Sequence, residues 1–174
     1  MRQTSFAEMQ CSLARTLEVV GDWWSPLVLR DLYLGVDRFD DLVSDLGISR
    51  NLLTSRLDKL VTGGVVRRER YQERPPRDRY LLTGAGRELV PILLTLMAWG
   101  DRWATPDGGP PLGVRHRTCG HVCTPRVTCS ECGEPLRAED LAPVPGPGGR
   151  PGPGTMLIAQ RLSVGPGAAH RPRR

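Results

Sequence analysis

Ser49, Arg50, Asn51, Thr54 and Ser55 lie close together in "ISRNLLTSRLDKL", residues 48–60. Short hydroxyl and amide groups hydrogen-bond well to base edges, with Asn suited to adenine and Arg to guanine. In the same stretch Leu53, Leu57 and Leu60 recur at the spacing of a buried helical stripe, which turns Asn51, Thr54, Ser55 and Asp58 to the opposite side. Solubility alone would favour Lys and Glu there, since both are better helix formers than Ser, Thr and Asn. The pattern predicts a helix over 49–62 that reads double-stranded DNA through Arg50, Asn51, Thr54 and Ser55. Ser49 is its N-cap and a neighbour of the backbone. Asp58 is a poor contact, because phosphates repel a carboxylate.

A second chemical set lies downstream. "HRTCG" at 116–120 and "CSECG" at 129–133 repeat one pattern, ligand-x-x-Cys-Gly. The two-residue gap lets both side chains turn toward one ion, and the following Gly relieves the tight turn. His116, Cys119, Cys129 and Cys132 are the preferred ligands of a structural zinc ribbon, with Cys123 and His121 as alternates for His116. A degenerate ribbon with free thiols is the competing reading. Catalysis is not expected. The three His residues, 116, 121 and 170, lie outside the periodic part of the chain, and no Ser-His-Asp set, P-loop or dinucleotide fingerprint occurs.

The periodic part must position the reading helix. "SFAE" forms a capping box of Ser5 and Glu8, opening a helix with Leu13, Leu17 and Val20 inward that ends near Gly21. "WWSPLVLRDLYLG" is a second helix, capped by Ser25, with Pro26 in its first turn and Gly35 as its stop. "RFDDLVSDLG" is a short third helix closed by Gly47, and the pair Gly63-Gly64 ends the fourth. "VVRRERYQ" and "RDRYLLT" then read as a two-stranded ribbon around a Pro-Pro tip. A final helix follows Thr83, kinked at Pro91, in which Leu89, Leu93, Leu96, Gly100 and Trp103 step by 4, 3, 4 and 3 residues, a seam that needs a partner helix. A short helix, a Gly turn and a polar-faced helix, followed by a ribbon, is the winged helix-turn-helix order.

Charge supports this placement. The chain of 174 residues carries a net +5, but residues 50–80 hold nine positive and four negative side chains, whereas residues 1–49 hold four Arg against eight acids. Arg67, Arg68, Arg70, Arg74, Arg77 and Arg79 crowd the ribbon, and with Arg38 and Lys59 they are the candidate phosphate contacts. About half of the ribbon Arg are expected to pair instead with Glu69, Glu73 and Asp78. "MRQTSFAEMQ" lacks the apolar core of a signal peptide, and no apolar run is long enough to span a bilayer, so a soluble cytoplasmic protein, held at the nucleoid by DNA, is expected. Five Cys in that compartment argue for thiols or metal ligands.

The segments "CSLARTLEVVGDWWSPLVLRDLYLG", "RFDDL", "ISRNLLTSRLDKLVTGGVVRRERY", "PPRDRYLLTGAGREL" and the "WG" at 99–100 run in one order. In that order the sequence resembles the HxlR-type winged helix-turn-helix regulators of bacteria, relatives of the MarR-like regulators. The resemblance implies a homodimer built by the first helix and the helix after Thr83, through Leu13, Leu17, Leu89, Leu93, Leu96, Trp99 and Trp103. It also implies a palindromic operator. Some family members use a Cys near position 11 as an oxidant sensor, which makes Cys11 a candidate switch beside its plainer reading as a small packed side chain.

The expected architecture is mainly α with a small antiparallel β wing. It comprises a winged helix-turn-helix domain over 5–104, a zinc-ribbon-like segment over 115–136, and a Pro/Gly-rich linker with a disordered basic tail over 142–174. A small-molecule or redox effector is not identified by the residues. Two rivals remain: a winged helix that binds protein without reading DNA, and a ribbon that binds single strands. The second wants aromatic stacking platforms, and residues 115–136 contain none.

Overall fold

The computed structural model describes residues 5–104 and 107–163. Its elements are α1 (Ser12–Val20), α2 (Ser25–Leu34), α3 (Phe39–Leu46), α4 (Arg50–Thr62), β1 (Val66–Gln72), β2 (Arg77–Leu82), α5 (Gly84–Trp103), β3 (Val114–Arg115), β4 (Val122–Cys123) and α6 (Met156–Ser163). No helix among the described residues is long and apolar enough to cross a membrane. The chain divides into two compact units, Asp22–Pro135 and a second formed by Met1–Gly21 with Leu136–Arg174.

In the larger unit α2 is the hub, touching α3, α4, α5 and β2. Val28, Leu29 and Leu32 of α2, Leu42 of α3 and Leu53, Leu57 and Leu60 of α4 form its buried centre. Each fully buried Leu contributes about 1.5–3 kcal/mol of apolar transfer, so the Leu stripe of α4 fixes that helix's rotation as well as its position. Gly35 ends α2 at φ 92° and Gly47 ends α3 at φ 62°, left-handed conformations that favour glycine.

The cap of α2 differs from the sequence expectation. Ser25 is fully buried and is the helix's first residue, not its N-cap. Its hydroxyl donates to Asp22 Oδ2 at 2.5 Å, while the N–H groups of Trp24 and Ser25 donate to Asp22 Oδ1 at 3.0 and 2.9 Å. Asp22 therefore caps α2 from outside the helix. The same carboxylate lies 3.4 Å from Nε of Arg56 on α4. This is an ion pair without hydrogen-bond alignment, since that buried Nε has no hydrogen-bond partner. Burial pushes the Asp22 carboxyl up, but the Ser25 and Trp24 donors and the Arg56 charge together hold it below its ordinary value.

β1 and β2 pair antiparallel from Val66↔Leu82 to Gln72↔Arg77, with an irregularity between Arg70 and Gln72. The segment before α3 adds a third rung, where Tyr80 N–H donates to the Asp37 carbonyl and Arg38 bridges Arg79. The "LTGAG" run has a mechanical explanation. Thr83 Oγ1 donates to the Gly64 carbonyl at 2.7 Å and accepts from the Gly86 N–H at 3.2 Å. A Cβ at Gly86 would sit 2.0 Å from the Val65 carbonyl oxygen, so only glycine lets α5 start so close to the wing.

The smaller unit corrects three expectations. α1 begins at Ser12 with Cys11 at its N-cap, and Ser5 pairs with Glu18 rather than Glu8, its hydroxyl donating to Glu18 Oε1 at 2.9 Å. Leu13 and Leu17 are exposed rather than inward, and Ala14 is the buried residue of α1. The segment expected to be mostly disordered contains α6, where "MLIAQRLS" has enough apolar spacing to form two turns. Gly154 lies against Met9, and Gln10 N–H donates to the Pro153 carbonyl. Residues 164–174, the basic end of the expected tail, lie outside the described residues.

Asp22→Asn removes the charge that Arg56 faces and should cost roughly 1–3 kcal/mol at neutral pH by chemical denaturation. Because the folded carboxyl titrates below its unfolded value of about 3.9, the stabilisation is full above that value and is lost as pH falls through the lower folded one. The gap between wild type and variant should thus close in acid. A gap that persists there would mean the Asp22 charge is not its source.

Candidate nucleic-acid interface

α3, the turn at Gly47–Ser49 and α4 form the helix-turn-helix. Ile48 is buried in the turn, and Ser49 caps α4 by accepting from the Leu52 N–H at 3.4 Å. Ser49, Arg50, Asn51, Thr54, Ser55 and Asp58 are exposed, while Leu53, Leu57 and Leu60 are at 0%. The two-faced reading of this stretch therefore holds.

The four candidate base readers are not equivalent. Thr54 Oγ1 donates back to the Arg50 carbonyl at 3.0 Å, leaving its lone pairs and methyl outward. Arg50 folds toward α3, with Nη1 2.7 Å from Asp40 Oδ1 and its guanidinium 4.9 Å from the Phe39 ring centre. That pair is exposed on both sides, so it is worth at most about 1 kcal/mol and a competing acceptor can displace it. Asn51 and Ser55 have side chains with no hydrogen bond among the described residues, and they stand ready on the outer face.

The wing divides in the same way. Arg79 and Arg67 both bind Glu69, and they hold its carboxyl below the usual range, Arg79 more strongly. Arg70 and Arg68 both bind Asp78 and depress it similarly, Arg70 first. Cross-strand register produces this sharing, because Glu69 faces Arg79, and Asp78 faces Arg70, two residues along the strand from Arg68 and on the same face. Arg74 and Arg77 flank the Pro-Pro tip and make no ion pair among the described residues. Arg38 stacks at 5.0 Å on Tyr71, with its charge exposed, and Lys59 is half-buried in the last turn of α4.

Other predicted residues fall elsewhere. On α5, Ile92, Leu96, Trp99 and Trp103 are 59–65% exposed at steps of 4, 3 and 4. Leu89 and Leu93 are half-buried, so the outward stripe starts at Ile92, which the seam reading missed because Leu89 and Leu93 fitted the same spacing. Cys11 is half-buried, with its thiol free. Downstream, His116 lies beside Cys119 and Cys129 beside Cys132. No third His, Cys, Asp or Glu joins either pair at ligating distance among the described residues.

Comparison with known proteins agrees with this geometry. A family model described as HxlR-like helix-turn-helix matches residues 19–108. An uncharacterized HTH-type transcriptional regulator of Mycobacterium tuberculosis is 45% identical over 137 residues, covering 79% of this chain and 87% of the relative. Among solved structures, the candidate transcription factor PA1607 superposes with a TM-score of 0.70 at 34% identity, over 80% of this chain and 97% of that one. The candidate transcription factor PA1374 from Pseudomonas aeruginosa does so with 0.57 at 33% identity, over 87% and 100%.

Glu69→Gln removes the carboxylate that occupies Arg67 and Arg79. Affinity for duplex DNA of arbitrary sequence should rise, and its dependence on log salt should steepen by about one to two units, with little change in thermal stability because the pairs are exposed. An unchanged slope in filter binding or fluorescence anisotropy would mean that these two side chains face away from the backbone.

Proposed function

The chain belongs to the HxlR-like helix-turn-helix family and is a transcriptional regulator with a DNA-binding fold, not an enzyme; from that premise we propose that it binds a two-fold symmetric operator as a homodimer. α4 enters the major groove, Asn51 and Ser55 read base edges directly, and Thr54 and Arg50 join them, Arg50 after leaving Asp40. Ser49 and Lys59 lie toward the phosphates at the two ends of α4, with Arg38 beside the wing. The wing follows the backbone through Arg74 and Arg77 at its tip, while Arg67, Arg68, Arg70 and Arg79 keep the strands paired and exchange partners only as phosphates approach.

The observation that carries this reading is the unengaged polar pair on α4. Asn51 and Ser55 sit on a helix whose other face is locked by three fully buried Leu and the Asp22–Arg56 pair. Unspent hydrogen-bonding capacity on a rigidly held helix is what base readout requires, and it serves no purpose inside the monomer. Dimerisation is supported by the apolar stripe Ile92–Leu96–Trp99–Trp103 on α5 and by Leu13 and Leu17 on α1, all exposed in the single chain. A two-fold axis repeats one recognition helix in two half-sites, as a palindrome needs.

Selection of the purified protein against random duplex DNA at physiological salt tests the reading. A two-fold symmetric consensus with half-sites about one helical turn apart supports it. An unenriched pool overturns it in favour of a winged helix that binds protein. On the selected site, Arg74→Ala and Arg77→Ala should each flatten the salt dependence by about one unit and weaken all sequences alike, whereas Arg68→Ala should change it less.

A further inference from the structure

Residues 114–135 contain two turns of one construction, thirteen residues apart. In the first, His116 N–H donates to the His121 carbonyl at 2.9 Å and Gly120 N–H to the His116 carbonyl at 2.8 Å. In the second, Cys129 N–H donates to the Glu134 carbonyl at 2.8 Å and Gly133 N–H to the Cys129 carbonyl at 2.9 Å. Gly120 and Gly133 carry the left-handed φ of 74° and 76° that closes each loop. Each loop is tied at its base, by β3 with β4 and by the bridge between Thr128 and Pro135. His116 thus corresponds to Cys129, and Cys119 to Cys132.

The side chains within each turn are set as a pair. His116 Nδ1 lies 3.4 Å from Cys119 Sγ. Zinc bonds of about 2.3 Å to sulfur and 2.0–2.1 Å to nitrogen, at a tetrahedral angle, place those two ligand atoms about 3.5 Å apart. In the other turn the N–H groups of Cys132 and Glu131 and the Cys132 thiol lie at Cys129 Sγ. The segment also lacks what usually orders a protein chain, since none of residues 107–135 is buried. So small a segment without a core needs another staple.

We propose that one Zn²⁺ per chain is bound by His116, Cys119, Cys129 and Cys132, drawing the two preformed turns together into a closed ribbon. Four protein ligands leave no open position, so the ion is structural, and its binding releases the thiol protons of the three Cys. The alternates are disfavoured. Cys123 on β4 lines a cavity of about 330 Å³ with Leu94 and Met97 of α5, and His121 has no paired partner at the first or fourth position of either turn. The proposal is independent of DNA readout.

The test is the metal content of the full-length chain, purified without chelator and measured by elemental mass spectrometry. One zinc per chain is expected, retained in Cys123→Ser and in His121→Ala and lost in Cys129→Ser and Cys132→Ser. Cobalt(II) added to the chelator-stripped wild type should give the intense visible bands of a tetrahedral thiolate site. The wild type alone is decisive if the variants fail to fold. A zinc-free chain that also yields only weak, octahedral cobalt bands overturns the proposal, and so does zinc that survives loss of Cys129 and Cys132 or is lost with Cys123.

Discussion

The carboxylate of Asp22 accepts the first N–H groups of α2 and faces the guanidinium of Arg56 on α4, so one side chain joins the hub of the core to the second helix of the helix-turn-helix. Capping alone would need only a polar group at that place. The ion pair adds direction, because a charge removed from water is costly to separate from its partner. α4 is therefore pinned at three Leu by apolar burial and at Arg56 by charge. Its outer face can carry Asn51 and Ser55, which contribute little to helix stability, without loosening the helix.

Electrostatics in the wing follow a comparable economy. A ribbon with six Arg would repel itself if none were neutralised. Glu69 and Asp78 each serve two guanidinium groups, which ties β1 to β2, while Arg74 and Arg77 beside Pro75 and Pro76 make no ion pair among the described residues. The guanidinium groups are exposed, so each pair is worth little individually, although Glu69 is half-buried and Asp78 only 10% exposed. Their effect is to hold four guanidinium groups in place along the strands.

Much of this arrangement was legible in the sequence because it rests on local rules. Leu spacing and Gly stops located α2, α3 and α4, and the Arg clusters with a Pro-Pro tip located the wing. What escaped was decided by groups distant in sequence. Ser25 has the composition of a cap, yet Asp22 reaches past it because Ser25 is needed inside the core. Arg56 is one of the nine positive charges of residues 50–80, and only the fold brings it to Asp22. Which Arg of the wing are engaged depends on cross-strand register, which composition does not specify. α6 was hidden by the Pro/Gly tracts before it, and the outward stripe of α5 was displaced to Ile92 because two apolar spacings overlap on that helix.

For Asn51 to read a base, α4 must hold its position on the core. The decisive comparison is of binding preferences for wild type and Asn51→Ala, each selected against the same random duplex pool. Discrimination should be lost at one base pair in each half-site, by about 1–3 kcal/mol, with every other position of the consensus kept. Equal weakening on all sequences, with the consensus unchanged, would contradict it.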